Sequence, residues 1–293
     1  MPKTIIVTGG AGHVGSHVVE QLLSDQNNRV ICIDNYFNGS PENELPGAEY
    51  RKGHTKDIAA ILEDVTDIDI VYHLGEYARI APSFDDAALV ADMNTRGTLA
   101  VVEFWKERGF KLVYAASSTK FALQGEGRHQ NPYSLSKAAN VDLVNGYGTW
   151  FDLPYAITYF YNAFGERENG KGKYATLIAK FEQAHLAGKE LTVVKPGTQK
   201  RNFTYAGDLA RGIILAGVKG SGDGYALANP EAYTIHEIAE AFGGPVELID
   251  GYPGRPESGD ISTKAYDELG WAPTVRIIDY IHDFVAKHPS GKQ

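Results

Sequence analysis

The sequence predicts an α/β protein: a doubly wound, mostly parallel sheet followed by a smaller α/β domain. Three observations carry this. Short apolar runs rich in β-branched residues alternate with helix-length segments through the first half of the chain. A glycine-rich turn joins the first run to the first helix. After Asn162 the texture changes to charged pieces interrupted by Gly and Pro. Strands that are apolar at consecutive positions are buried on both faces, the pattern of a parallel sheet covered by helices. A length of 293 residues suits one large domain carrying a smaller one.

The elements follow in order. Thr4–Thr8 is a strand ended by Gly9-Gly10, and His17–Ser24 a helix. Arg29–Ile33 is the second strand, ending at Asp34. Ile68–Leu74 and Lys111–Ala116 are two more, separated by helical stretches around Asp85–Arg108. Pro132–Phe151 reads as a helix and Tyr155–Tyr161 as a strand. Beyond Asn162, Glu166–Lys173 reads as a charged loop and Tyr174–Ala187 as a helix. Leu191–Val194 and Phe203–Tyr205 are short strands around a turn at Pro196-Gly197. Gly220–Gly224 reads as a loop. Gly243–Gly259 holds too many Gly and Pro to be one regular element, and the polar tail His288–Gln293 is expected to fray.

Composition removes several function classes. Lys plus Arg is 28 against 37 for Asp plus Glu, a net charge of −9, so a nucleic-acid-binding role is disfavoured. Cys32 is the sole cysteine, which rules out an internal disulfide and a Cys-rich zinc site. The nine histidines form no ligand spacing with Cys or paired carboxylates, so no metal is expected. The first apolar run stops after three residues, too short for a signal-peptide core, and no run approaches a membrane span. The expectation is a cytoplasmic protein with no membrane partner.

Two constellations carry chemistry. In Thr8-Gly9-Gly10-Ala11-Gly12-His13-Val14-Gly15, glycines at 9, 12 and 15 permit a tight turn, close approach to a pyrophosphate, and close helix–strand packing. The following helix offers free N–H groups to phosphates. Asp34, at the end of the second strand, suits the ribose hydroxyls of an adenosine and repels a 2′-phosphate, favouring NAD over NADP. The second is Tyr133-x-x-x-Lys137, where a helix sets phenol and ammonium on one face and the cation favours the phenolate as a base. With 17 tyrosines in the chain this spacing alone is weak. Ser117, at the end of the preceding strand, adds a hydroxyl that can bond both the phenol and a substrate oxygen.

Thr8-Gly9-Gly10-x-Gly12-x-x-Gly15, Asp34-Asn35, His73-Leu74, Asn94-x-x-Gly97-Thr98, Ser117, Tyr133-x-x-x-Lys137 and Asn162 occur in one order. Arg201-Asn202-Phe203-Thr204, Asp208 and Arg255-Pro256 follow. In this the chain resembles the extended short-chain dehydrogenase/reductase superfamily, in its nucleotide-sugar epimerase/dehydratase branch, over nearly its whole length. The resemblance implies a Rossmann domain holding NAD over residues 1–162, with part of 201–228 returning to it. Residues 163–293 would mostly form a smaller domain binding a nucleoside-diphosphate sugar. It places His13 and Val14 by the pyrophosphate, and Asp34, Asn35 and Asn38 by the adenosine ribose. Asp57 and Ile58 flank adenine, Leu74, Gly75 and Asn94 line the cofactor channel, and Tyr161 approaches the nicotinamide beside Tyr133 and Lys137. Asn162, Arg201 and Arg255 are implied for the substrate diphosphate, whose oxygens match the guanidinium fork. Glu76, Arg79 and Ser118 join them on the substrate side. Relatives commonly pair through a four-helix bundle, so a homodimer through the helices near Asn94–Arg108 and Tyr133–Phe151 is expected.

The chain departs from the family where Leu74-Gly75-Glu76 replaces Leu-Ala-Ala and where Tyr159 replaces a common Arg. Glu76 is read as an ion pair with Arg79. The alternative is a contact to the sugar or a neighbour tuning Tyr133. Ser118 and Thr119 stand where a dehydratase usually carries an acid that expels the 6-hydroxyl, which argues against dehydration. Asp34 opposes an NADPH-dependent ketoreductase. The expectation is a nucleotide-sugar 4-epimerase passing through a 4-keto sugar, with Ser117, Tyr133 and Lys137 catalytic. A dehydratase or ketoreductase of the same family is the alternative, and a non-catalytic dinucleotide sensor or scaffold is the alternative of another class.

Overall fold

A computed structural model describes residues 3–121, 127–251 and 261–289. The first half runs β1 (Lys3–Thr8), α1 (His13–Leu22), β2 (Asn28–Asp34), β3 (Glu49–Lys52), α2 (Ile58–Ile61), β4 (Ile70–His73), α3 (Ala87–Val90) and α4 (Gly97–Arg108). It continues through β5 (Lys111–Ser117), α5 (Pro132–Trp150) and β6 (Tyr155–Phe160). The second half adds β7 (Asn162–Phe164), α6 (Leu177–Leu186), β8 (Leu191–Val194), β9 (Lys200–Tyr205), α7 (Ala206–Val218) and β10 (Gly222–Leu227). It closes with β11 (Ala232–Thr234), α8 (Ile235–Phe242), β12 (Val246–Ile249), α9 (Lys264–Leu269) and α10 (Ile277–Lys287).

Seven strands form one parallel sheet in the order β10-β6-β5-β4-β1-β2-β3. The α/β class with a doubly wound, Rossmann-like sheet is therefore as predicted. Side chains alternate across the sheet, so one strand feeds two cores. Ile5 and Val7 of β1 pack with Val18, Val19 and Leu209 on the face of α1 and α7. Ile6 packs with Ile31, Val101, Trp105 and Val141 on the face of α2, α4 and α5. Each such aliphatic side chain, taken from water, contributes about 1.5–3 kcal/mol. The chain reverses its winding between β1 and β4, so the carboxyl ends of these strands open a crevice, the place where such sheets bind ligands.

Several boundaries differ from expectation. α1 begins at His13 rather than His17, because the glycine turn is tight enough to start the helix at once. Glu49–Lys52 adds a strand that the sequence pattern does not announce; it pairs at the sheet edge beside β2. Of the expected Gly220–Gly224 loop, residues 222–224 instead begin β10, which adds to β6 with a register shift between Gly222 and Tyr225. The rest of the second half forms a mixed sheet of β11, β9 and β7 and a parallel pair of β12 and β8. Their core gathers Phe164, Phe181, Phe203, Ile238, Phe242 and Ile281. No helix among the described residues is long and apolar enough to cross a membrane.

Candidate active site

The glycine turn is held by backbone geometry that tolerates little else. Gly9 has φ +74°, and a Cβ on Gly15 would lie 2.0 Å from the Gly9 carbonyl oxygen. Gly12, the residue before α1, closes the turn by donating to Gly9 O at 3.0 Å. Asp34 sits 7% exposed at the end of β2. Its carboxylate accepts from Ala11 N at 3.0 Å and Tyr36 N at 2.8 Å. Burial raises its pKa, against the two amide bonds that lower it. Asn35 Oδ1 accepts from Phe37 N, and Asn38 Oδ1 accepts from Asn169 Nδ2 at 2.7 Å, tying the loop after β2 to the loop after β7.

His13 opens α1 with a buried ring whose Nε2 has no hydrogen-bond partner. Burial pushes its pKa down to about 3, and the charges of His17, Arg79 and Arg167 push the same way, so the ring is neutral. Val14 packs against the first core. An orphaned buried nitrogen at a helix N-terminus, a glycine cradle that a Cβ would fill, and Asp34 at the next strand end together fit a dinucleotide. Leu74 N and Gly75 N both donate to Thr8 Oγ1, at 3.1 and 2.9 Å, which binds the end of β4 to the glycine turn. Asp57 is exposed in the turn before α2, whereas Ile58 is fully buried in the second core.

The catalytic candidates lie at the C-terminal end of β5 and in the first turns of α5. Tyr133 is 9% exposed and packs with Tyr77, Val90 and Met93. Ser117 ends β5, and its Oγ accepts from Thr119 N at 3.3 Å and Thr119 Oγ1 at 3.0 Å, rather than from Tyr133. Ser118, in the turn that follows, is 3% exposed. Lys137 is almost fully buried. Its ammonium donates to Ala115 O and pairs with Glu76. Tyr161 is buried against Ala226 and Ala228.

The expected Glu76–Arg79 ion pair is not formed. Glu76 turns inward to Lys137, Thr98, Tyr114 and Asn140. Arg79 turns the other way and donates from Nε to Tyr174 O at 2.6 Å and from a terminal nitrogen to Ala78 O at 2.9 Å. The reason is burial: a carboxylate 2% exposed needs a charge beside it, and Lys137 is the nearer cation. Asn94 is also less available than expected. Its amide accepts from Tyr77 N at 2.6 Å and donates to Tyr77 O and Ser136 Oγ, bracketing the segment after β4 to α5. It lies in a π-helical turn, Ala91–Arg96, between α3 and α4, a distortion found often at functional sites.

On the other side of the crevice, Asn162 Nδ2 donates to Asn202 O at 2.6 Å, and Arg201, 7% exposed on β9, donates to Lys200 O at 2.8 Å. Arg255 lies outside the described residues. Sequence reasoning missed Thr98, Tyr114 and Asn140, which hold Glu76, and the buried carboxyl of Glu168. Asn140 follows Lys137 by three residues on one helix face, a signal that helical spacing could have supplied. Glu168 lies in an irregular loop that carries no periodic signal. Burial raises its pKa to about 8.

A glycine turn at the mouth of a parallel sheet, an acidic residue after the second strand, and a Tyr and Lys one helical turn apart define a dinucleotide-binding enzyme class. The chain belongs to the NAD dependent epimerase/dehydratase family, whose model matches residues 5–228. It is 29% identical to a putative UDP-glucose 4-epimerase of Methanocaldococcus jannaschii, covering 92% of this chain and 93% of that protein. It is 30% identical to UDP-glucuronic acid decarboxylase 6 of Arabidopsis thaliana, over 93% of this chain and 85% of that one. The solved UDP-glucose 4-epimerase of Thermus thermophilus in complex with NAD superposes with a TM-score of 0.86 at 27% identity, covering 99% of this chain and 100% of that one. The cofactor is NAD, and the enzyme acts within a family of UDP-sugar epimerases and decarboxylases.

Proposed function

We propose that this protein is an NAD-dependent nucleotide-sugar 4-epimerase acting on a UDP-hexose of the glucose/galactose type. The observation that carries the reading is the end of β5. Ser117, Ser118 and Thr119 stand there, hydroxyls where dehydration would need an acid, beside an intact Tyr133 and Lys137. The neighbouring carboxylate, Glu76, is tied to Lys137 and so is not placed to protonate a leaving group.

When bound, NAD supplies a reversible two-electron acceptor, and the hard chemistry is its own. The Gly9–Gly15 turn, His13, Asp34, Asn35 and Asn38 would hold its adenosine and pyrophosphate, and Lys137 and Tyr161 its nicotinamide end. Tyr133 takes the proton of the sugar 4-hydroxyl and later returns it. The ammonium of Lys137 stabilises the phenolate meanwhile. Ser117 turns from Thr119 to share the bond to the 4-hydroxyl. Asn162, Arg201 and Arg255 would anchor the diphosphate, so that the 4-keto sugar can swing and present its other face.

A second reading, an acidic sugar such as a UDP-hexuronate, is favoured by Arg79. Among the described residues no carboxylate forms an ion pair with its guanidinium, which is held by the carbonyls of Tyr174 and Ala78. A uronate carboxylate suits such a fork. A proton NMR time course with UDP-glucose, UDP-galactose and their uronates, without added reductant, tests both. Interconversion of the neutral pair supports the first reading. Turnover of the uronates alone replaces it with the second, and loss of carbon dioxide makes the reaction a decarboxylation. A 4-keto-6-deoxy product overturns the epimerase assignment.

A further inference from the structure

Glu76 follows β4, where its two oxygens are taken up by different partners. One pairs with the Lys137 ammonium. The other accepts from Asn140 Nδ2 at 2.7 Å, Thr98 Oγ1 at 2.9 Å and Tyr114 OH at 3.1 Å. The carboxylate is 2% exposed, so it does not address a ligand. Burial pushes its pKa up, but the Lys137 ammonium, with the bonds from Lys137 and Thr98, outweighs that and leaves it lowered. Lys137 also donates to Ala115 O and lies 4.7 Å from the centre of the Tyr114 ring.

The hydrogen bonds beyond Glu76 have one consistent direction. Thr98 must donate to the carboxylate, so it accepts from His73 Nε2 at 2.9 Å. His73 Nδ1 then accepts from Thr8 Oγ1 at 2.8 Å, which itself accepts from Leu74 N and Gly75 N. The tautomer assigned by this network is the neutral Nε2–H form. A continuous chain thus runs from the glycine turn through His73, Thr98 and Glu76 to Lys137.

We propose that Glu76 is a positioning residue that acts on the reaction through Lys137, fixing its ammonium against Ala115 O before cofactor and substrate arrive. Two of the three ammonium donors are occupied by Glu76 and Ala115, which leaves one free to serve the reaction. The titratable and charged groups around the pair are His73 from β4, Tyr114 from β5, and Tyr133 with Lys137 from α5. None of them supplies a second anion. Without Glu76 the ammonium is a buried charge with a single carbonyl, and it leaves this position.

The inference rests on the roles assigned to Lys137 above. It is tested with Glu76→Gln, Lys137→Met and the double variant, each titrated with NAD⁺ as apo protein and then assayed for kcat and KM. Glu76→Gln is expected to weaken NAD⁺ binding about tenfold and to lower kcat at least about tenfold, with KM within about twofold of the parent. The double variant is expected to match Lys137→Met, since Glu76 has nothing to hold once the ammonium is gone. A lowered melting temperature with NAD⁺ affinity and kcat unchanged makes Glu76 merely structural and overturns the proposal. So does multiplication of the two effects in the double variant. If Glu76→Gln does not fold, the double variant, which leaves no lone buried charge, still decides against Lys137→Met by the same NAD⁺ titration. A wild-type protein that binds NAD⁺ but epimerises nothing removes the reaction reading and leaves this titration intact.

Discussion

Tyr133 carries the proton in the proposed reaction, and the loss of one oxygen atom tests it. Tyr133→Phe keeps the ring in its pocket with Tyr77, Val90 and Met93. Turnover is expected to fall about 10²–10⁴-fold while NAD stays bound, measured by a rate assay beside a cofactor titration. Two buried groups give the fold a pH dependence of opposite sign. Burial lowers the pKa of His73 from 6.5 to about 4, with Glu76 opposing and Lys137 adding. The unfolded chain therefore binds a proton there that the native state refuses, and stability falls as pH drops from 6.5 towards 4 by up to about 1.4 kcal/mol per unit. Glu168 is the reverse, raised from 4.5 to about 8. Its contribution is complete below 4.5 and is lost as pH rises through 8. Glu168→Gln is expected to raise the melting temperature more near about pH 8 than near about pH 5. An equal gain at both would show that the carboxyl is not shielded as the fold implies.

At the scale of the element, two joints matter most. The turn between β1 and α1 admits no side chain at position 15, where a Cβ would overlap a carbonyl of the same turn. Gly15→Ala is expected to abolish NAD binding and to destabilise the protein by a few kcal/mol, read by denaturant unfolding. The second joint is α7 with the chain before α10. Asp208, 3% exposed, accepts from Thr274 N, Thr274 Oγ1 and Val275 N at 2.7, 2.8 and 3.1 Å. Asp208→Ala leaves these donors without their acceptor and is expected to cost about 2–4 kcal/mol, with kcat nearly unchanged in the folded fraction. The helices and apolar strands of the parallel sheet were legible because periodicity of burial is written along each of them. Glu49–Lys52 and Gly222–Leu227 were not, because an edge strand is recognised by its neighbour's backbone rather than by its own side chains.

At the scale of the molecule, α4 and α5 expose apolar side chains: Leu99, Leu135 and Trp150 are 44%, 48% and 70% exposed, and Phe151 just beyond α5 is 42% exposed. We propose that a second copy of the chain covers them through a bundle of four helices. Sedimentation of the parent is expected to show a dimer, and Leu135→Asp a monomer. A monomeric parent would remove the proposal. The same two helices line the crevice, since α5 carries Tyr133 and Lys137 and the segment entering α4 carries Asn94. Dimerisation would therefore stiffen the site.

The sequence by itself determined the sheet, its two-sided core, the glycine turn and the placing of Tyr133 and Lys137 one turn apart on a single helix. Each of these is local: a run of apolar residues, a turn that requires glycine, two side chains one helical turn apart. It also marked Glu76 as a departure, but assigned it the wrong partner. Arg79 is three residues away along the chain, and Lys137 is 61. Only the tertiary structure decided between them, because the deciding quantity is the cost of a carboxylate without water, and burial is set by the packing of β4, β5 and α5 together. Ser117 shows the same limit. Its place at the end of β5 was legible, but its bond to Thr119 depends on where the following turn lies.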